Sequence, residues 1–304
     1  MNDITSMQLE VTTRCNFDCI FCSGRHMEQK HMDFELVKKA IDMFPHLKEI
    51  QMQGEGEPLL HPGFFELVKY AKKAGLYVLT TTNGSLLTDK KIMGLLDSGI
   101  DLVYVSIEAA DDEMYKTIRR GGSYEKLISN VRRFVEMRNK NGYHSPVIGF
   151  AITVMRNTGN MFEKIINLYN ELGLDAGVKY NCLIKVPFYT VNYGEELNNQ
   201  AFSRAEEKLV YHENDQILIK NKVHRGPDPD YDNFSNCIWL DHRISINVNG
   251  SCLRCPFDKG DREFVYGNIN TDSLEKIMET KEKLIKGEIP QPKTLDCTRC
   301  YIFR

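Results

Sequence analysis

The chain has 304 residues, 42% of them hydrophobic, with 39 basic against 42 acidic side chains and a net charge of −3. That is long enough for a barrel-sized domain with a smaller one, and the dispersed, nearly balanced charge offers no footprint for nucleic acid. No apolar run approaches the ~20 residues of a membrane span. The start, Met1-Asn2-Asp3-Ile4, lacks a basic stretch followed by an apolar one, so a cytoplasmic protein with no membrane partner is expected.

Strand-like apolar segments fall at residues 7–12, 49–53, 77–81, 102–107, 147–154 and 177–184, with helical periodicity between them at 34–44, 64–74, 90–96, 124–137 and 161–172. Gly75, Gly99 and Gly173 each follow a helical stretch and precede an apolar one, as a left-handed C-cap does. Alternation of this kind implies an α/β fold of parallel β/α units with right-handed crossovers over residues 1–185. Residues 186–236 are Asn- and Glu-rich, with an amphipathic stretch at 202–209 and the run Gly226-Pro227-Asp228-Pro229, and read as a helical connector with a linker. A cysteine-rich segment occupies 237–304. It has strand-like stretches at 243–248 and 265–269 around the turn Asn249-Gly250, and a helix near 273–281.

Nine cysteines in short-spaced groups read as metal ligation in a reducing compartment. Cys15, Cys19 and Cys22 form a C-x3-C-x2-C loop directly after the first strand. A [4Fe–4S] cluster takes four cysteine ligands, so three leave one iron open to a small molecule. Structural zinc, with His26 as a fourth ligand, is the alternative. Functional groups of β/α folds collect where strands end. There stand Gln53-Gly54-Glu55-Gly56-Glu57-Pro58 after the second strand, Thr82-Asn83-Gly84 after the third, and Ser106 to Glu108 at the fourth.

Together these residues resemble the radical S-adenosylmethionine (SAM) superfamily over nearly the whole chain. The resemblance implies a partial (β/α)6 TIM-like barrel with a small C-terminal auxiliary-cluster domain. It implies that Cys15, Cys19 and Cys22 hold a [4Fe–4S] cluster whose open iron binds SAM, with Phe21 by the adenine. Glu55-Gly56-Glu57-Pro58 is similar to the family's Gly-Gly-Glu-Pro motif, with Glu55 in place of the first glycine, which makes Gly56 and Glu57 cofactor-binding. Asn83, Ser106, Glu108, Arg120 or its neighbour Arg119, and Asn157 are the further SAM contacts it implies. The C-terminal cysteines resemble a twitch or SPASM domain, with Cys237, Cys255, Cys297 and Cys300 around one auxiliary [4Fe–4S] cluster. A rubredoxin-like zinc site is the alternative for that tetrad, and Cys252 can exchange with Cys255.

The expected chemistry is reductive cleavage of SAM to a 5′-deoxyadenosyl radical that takes a hydrogen atom from the substrate, with a flavodoxin or ferredoxin as electron donor. Oxidation of a small polar molecule such as an amino sugar, with the auxiliary cluster as electron acceptor, is the leading expectation. Only 14 residues precede the first cysteine, which leaves no room for an N-terminal peptide-recognition domain. Two alternatives stand beside it: a sugar or peptide epimerase in which Cys182 or Cys252 donates the hydrogen atom, and a peptide maturase forming thioether or carbon–carbon cross-links. For both cysteines the bland reading is a packed apolar side chain.

Overall fold

The computed structural model describes residues 3–22, 27–183, 197, 199–226, 239, 241–256 and 265–289. Its elements begin with β1 (Ser6–Leu9), β2 (Asp18–Cys19), α1 (Phe34–Met43), β3 (Glu49–Met52), α2 (Phe64–Lys73), β4 (Tyr77–Thr82) and α3 (Asp89–Ser98). They continue with β5 (Leu102–Ser106), α4 (Asp112–Ile118), β6 (Arg119–Arg120), α5 (Tyr124–Lys140), β7 (Val147–Val154), α6 (Phe162–Glu171) and β8 (Val178–Cys182). After these come α7 (Arg204–Lys220), β9 (Arg243–Ile246), β10 (Ser251–Leu253), β11 (Val265–Asn268) and α8 (Leu274–Ile285). The six strands expected from the sequence are thus β1, β3, β4, β5, β7 and β8, and the fold is α/β. Among the described residues no helix is long and apolar enough to cross a membrane.

Two compact units interleave along the chain: Met1–Cys15, His26–Leu79 and Pro229–Arg304 in the first, Asn16–Arg25 and Thr80–Asp228 in the second. In the first unit β1 lies parallel to β3, Met7 opposite Ile50 and Leu9 opposite Met52, and β3 parallel to the start of β4. The other edge of β1 is taken by β9, also parallel, with Ser6 opposite Arg243 and Leu9 opposite Ile246. β10 and β11 extend this edge in antiparallel fashion. Met7, Leu9, Ile50, Met52, Ile244 and Ile246 are all fully buried, as central strands of a covered parallel sheet are. Asp33 caps α1 by accepting from Glu35 N at 2.9 Å, and Val37, Ala40 and Ile41 bury the face at helical spacing. In α8 the fully buried Lys281 donates from Nζ to the carbonyls of Asp241 (3.1 Å) and Arg243 (2.8 Å), pinning the helix to the start of β9.

In the second unit β5, β7 and β8 are parallel neighbours, with Ser106 opposite Ala151 and Val154 opposite Cys182. Ser123 caps α5, Ser203 and Glu206 form a capping box on α7, and α3 closes on Gly99 at φ +75°. Helix α4 has no counterpart among the expected elements. Asp111 caps it by accepting from Met114 N at 2.9 Å, and Tyr115 and Ile118 anchor it. β6 follows at once and forms a two-residue antiparallel ladder with β2, Asp18 opposite Arg120 and Cys19 opposite Arg119. The chain leaves this ladder through Gly121, at φ +92°, and Gly122, where a Cβ would come within 2.7 Å of the Tyr115 ring and 2.9 Å of the Arg119 carbonyl.

Candidate active site

In the first unit the stretch leading to Cys15 is tied down by hydroxyls: Thr12 Oγ1 donates to the Lys30 carbonyl at 3.0 Å and Thr13 Oγ1 to the Glu28 carbonyl at 2.6 Å. The loop after β3 lies directly on this stretch. Glu57 N donates to the Arg14 carbonyl at 2.8 Å, and a Cβ on Gly56 would stand 2.5 Å from the Thr12 carbonyl oxygen and 2.6 Å from that of Arg14. Only glycine permits so close a backbone approach. The buried Glu57 carboxylate accepts from Leu59 N at 3.1 Å and so caps the 3-10 turn Pro58–Leu60. One residue beyond β1, Glu10 spans two loops: Oε1 accepts from Glu55 N at 3.2 Å and Oε2 from Val248 N at 3.1 Å. A small pocket lies there, lined by Gln8, Glu10, Glu55, Asn247, Leu253 and Pro256 among others. Cys252 is fully buried within β10, where burial pushes its thiol up to about 12, while Cys255 lies just past the strand and is half-buried. Cys237, Cys297 and Cys300 lie outside the described residues.

In the second unit Cys19 is buried and Cys22 half-buried, with Cys22 N donating to the Cys19 carbonyl at 3.1 Å. The buried Arg119 forks onto the fully buried Glu108: Nη2 donates to Oε1 at 2.7 Å, and Nε pairs with Oε2. Its third nitrogen, Nη1, reaches Cys19 Sγ at 3.8 Å, and the Phe21 ring lies 5.4 Å from the guanidinium carbon. Thr153 N, on β7, also donates to Glu108 Oε1 at 3.4 Å. Ile20 and Phe21 pack against a buried cluster of Ile118, Met155, Leu183, Leu197 and Ala201. The charge of Glu108, paired with a guanidinium and held by hydrogen bonds, raises the Arg119 pKa further above its ordinary value, against the pull of burial.

The remaining expected residues are placed as follows. Ser106 is half-buried at the end of β5, and Asn157 is exposed in the 3-10 turn after β7, its N donating to Gln200 Oε1 at 3.1 Å. Arg120 is exposed in β6, beside the buried Arg119. Asn83 is buried in a closed ring: its Nδ2 donates to Asn16 Oδ1 (3.0 Å), Asn16 Nδ2 to Ser85 Oγ (2.9 Å), and Ser85 Oγ back to Asn83 Oδ1 (2.7 Å). Cys182, buried at the end of β8, has its thiol pushed up to about 12, first by burial and then by nearby Glu207. Two participants have no place among the expected residues. Asn16 directly follows Cys15, but nothing local pairs it with a turn 67 residues on. Tyr115, whose buried hydroxyl lies in the field of Arg119, Glu108 and Cys19, sits on the unexpected helix α4.

Among the described residues no three His, Cys, Asp or Glu side chains converge to chelate a single metal ion. The donor chemistry suits a cluster: Cys15, Cys19 and Cys22 form no disulfide, and the sulfur of Cys19 already faces a guanidinium N–H, a partner suited to a thiolate that ligates iron.

The Radical SAM superfamily matches residues 9–169, and an iron–sulfur cluster-binding domain, SPASM, matches residues 237–301. The chain is 34% identical over 190 residues to the tungsten-containing aldehyde ferredoxin oxidoreductase cofactor-modifying protein of Pyrococcus furiosus. That match takes in 60% of this chain and about half, 52%, of the relative. In fold it is similar to Streptococcus suis SuiB bound to its precursor peptide SuiA, with a TM-score of 0.75 and 13% identity, over 100% of this chain and 71% of that one. It is also similar to anSMEcpe with bound AdoMet and a peptide, with a TM-score of 0.60 and 17% identity, over 99% of this chain and 87% of that one. With the family match covering more than half of its length, the chain belongs to the radical SAM superfamily, an enzyme whose two matched domains call for SAM, a SAM-binding [4Fe–4S] cluster and an auxiliary cluster.

Proposed function

We propose that the protein is a peptide-modifying radical SAM enzyme that takes a hydrogen atom from a carbon of a peptide substrate. Cys15, Cys19 and Cys22 would hold the SAM-binding cluster; Cys255, with Cys237, Cys297 and Cys300, would hold the auxiliary one. Once bound, the first cluster supplies the electron that splits SAM into methionine and a 5′-deoxyadenosyl radical, and the protein's share is positioning and the exclusion of water. The backbone fit of Gly56 and Glu57 against Arg14 fixes the SAM-motif loop on the stretch that enters the cysteines. Ile20 and Phe21, set into an apolar cluster, keep their part of the cysteine loop dry.

The observation that carries the peptide substrate is the likeness of the whole chain to a structure solved with its precursor peptide in place. The name of the Pyrococcus relative, a cofactor-modifying protein, favours a second reading, modification of a small molecule in place of a peptide. Anaerobically reconstituted protein given SAM, reductant and any short peptides found to be encoded beside its gene is expected to form 5′-deoxyadenosine and a peptide altered in mass or stereochemistry. No 5′-deoxyadenosine with iron fully loaded would falsify the enzyme reading. Turnover with small polar candidates and none with peptides would select the second. A product lighter by two hydrogens marks oxidation or cross-linking, and unchanged mass with deuterium gained from heavy water marks epimerisation.

A further inference from the structure

The buried ion pair of Arg119 and Glu108 does more than hold α4 to β5. The β2–β6 ladder sets Cys19 directly opposite Arg119, and residues opposed in an antiparallel ladder carry their side chains on the same face. The guanidinium therefore meets the sulfur because of backbone pairing, reinforced by Ile20 N donating to the Ile118 carbonyl at 3.0 Å. Glu108 occupies two of the guanidinium's nitrogens and leaves Nη1 directed at Cys19 Sγ at 3.8 Å. Phe21, at 5.4 Å from the guanidinium carbon, covers the same group. Arg119, Glu108 and Cys19 are each less than a tenth exposed, so solvent screens this arrangement little.

We propose that Arg119 is a positioning residue that sets the reduction potential of the SAM-site cluster through the sulfur of Cys19, with Glu108 as the counter-charge that limits its effect. This rests on the proposed function, which places the cluster on Cys15, Cys19 and Cys22. Adding an electron makes a cluster more negative, so an N–H donor and a positive charge at a ligating sulfur stabilise the reduced form and raise the potential. A buried carboxylate behind the donor works the other way. The pair therefore has a signed signature: removing Glu108's charge favours reduction, and removing Arg119's charge as well reverses that gain. Loosening of the fold would not split in this way, because both substitutions would disturb the same packing.

The test is an EPR-monitored redox titration of the reconstituted, full-length protein with both clusters loaded, following the reduced-cluster signal that shifts when SAM is added. Glu108→Gln is expected to raise the equilibrium constant for one-electron reduction at least tenfold, about 59 mV. Glu108→Gln combined with Arg119→Gln, which leaves a neutral pair able to hydrogen-bond, is expected to fall at least tenfold below Glu108→Gln alone. A Glu108→Gln midpoint no higher than that of the wild type, or a double variant that does not fall below Glu108→Gln, overturns the inference. A wild-type protein with iron fully loaded and no SAM-responsive signal overturns the proposed function and this inference with it, which separates the two failures.

Discussion

Gly56, in the loop after β3, lies directly against backbone. Its missing Cβ is what lets the loop lie 2.5 Å and 2.6 Å, measured from that position, from two carbonyl oxygens of the stretch entering Cys15. Gly56→Ala must push the two backbones apart, at a cost of about 1–3 kcal/mol. A lowered melting temperature together with a large loss of SAM-dependent 5′-deoxyadenosine is expected; an unchanged rate would show that the close approach has no part in SAM binding. The two buried thiols make a prediction in pH. Cys182 and Cys252 both rise from 9.0 to about 12 on burial. In the unfolded chain they ionise near the ordinary value, so the folded state holds the proton more tightly. Their contribution is intact below pH 9 and is lost as pH climbs toward 12. Denaturant unfolding across that window is expected to show stability falling with pH, and the fall should be shallower in Cys182→Ala/Cys252→Ala protein.

At the level of elements, Lys281 is the clearest case of one side chain fixing a helix to a strand. Lys281→Met leaves the carbonyls of Asp241 and Arg243 without their charged donor, and a loss of roughly 1.5–3 kcal/mol is expected in thermal or denaturant unfolding. A neutral result would mean that both carbonyls find other donors. Elements of this kind differ in how far the sequence shows them. The six expected strands and α1, α2, α3, α5 and α6 were legible because apolar spacing and C-cap glycines are local signals; Gly75, Gly99 and Gly173 do adopt positive φ. Helix α4 was missed although Asp111-Asp112-Glu113 is an N-terminal signature, because its seven residues carry too few apolar positions to show a period. The β2–β6 ladder and the ring of Asn16, Asn83 and Ser85 were not legible at all, since each joins residues far apart in sequence. The site followed the same rule. The cysteine loop and the Gly56-Glu57 motif stand in contiguous residues, whereas the partner of Cys19 sulfur required the fold.

For the whole molecule, the pairing of β9 with β1 means that the first described strand is completed by one of the last. Removing residues 229–304 strips β9, β10 and β11 from β1 and bares an unpaired strand edge beside the buried Met7 and Leu9. Such a truncation is expected to aggregate, seen as loss of soluble protein and a void-volume peak in gel filtration; a monodisperse monomer would show that the rest of the chain covers the edge by itself. The same pairing has a consequence in time. On a ribosome adding roughly 5–20 residues per second, Ser6 is made on the order of 10–50 s before the Arg243 that lies opposite it. Throughout that interval β1 has an open flank, and the three thiols that follow it are already synthesised and oxidisable. Yield of intact protein should therefore depend on how the cell shields a nascent chain from oxygen and from its neighbours during translation, as well as on how much iron it holds.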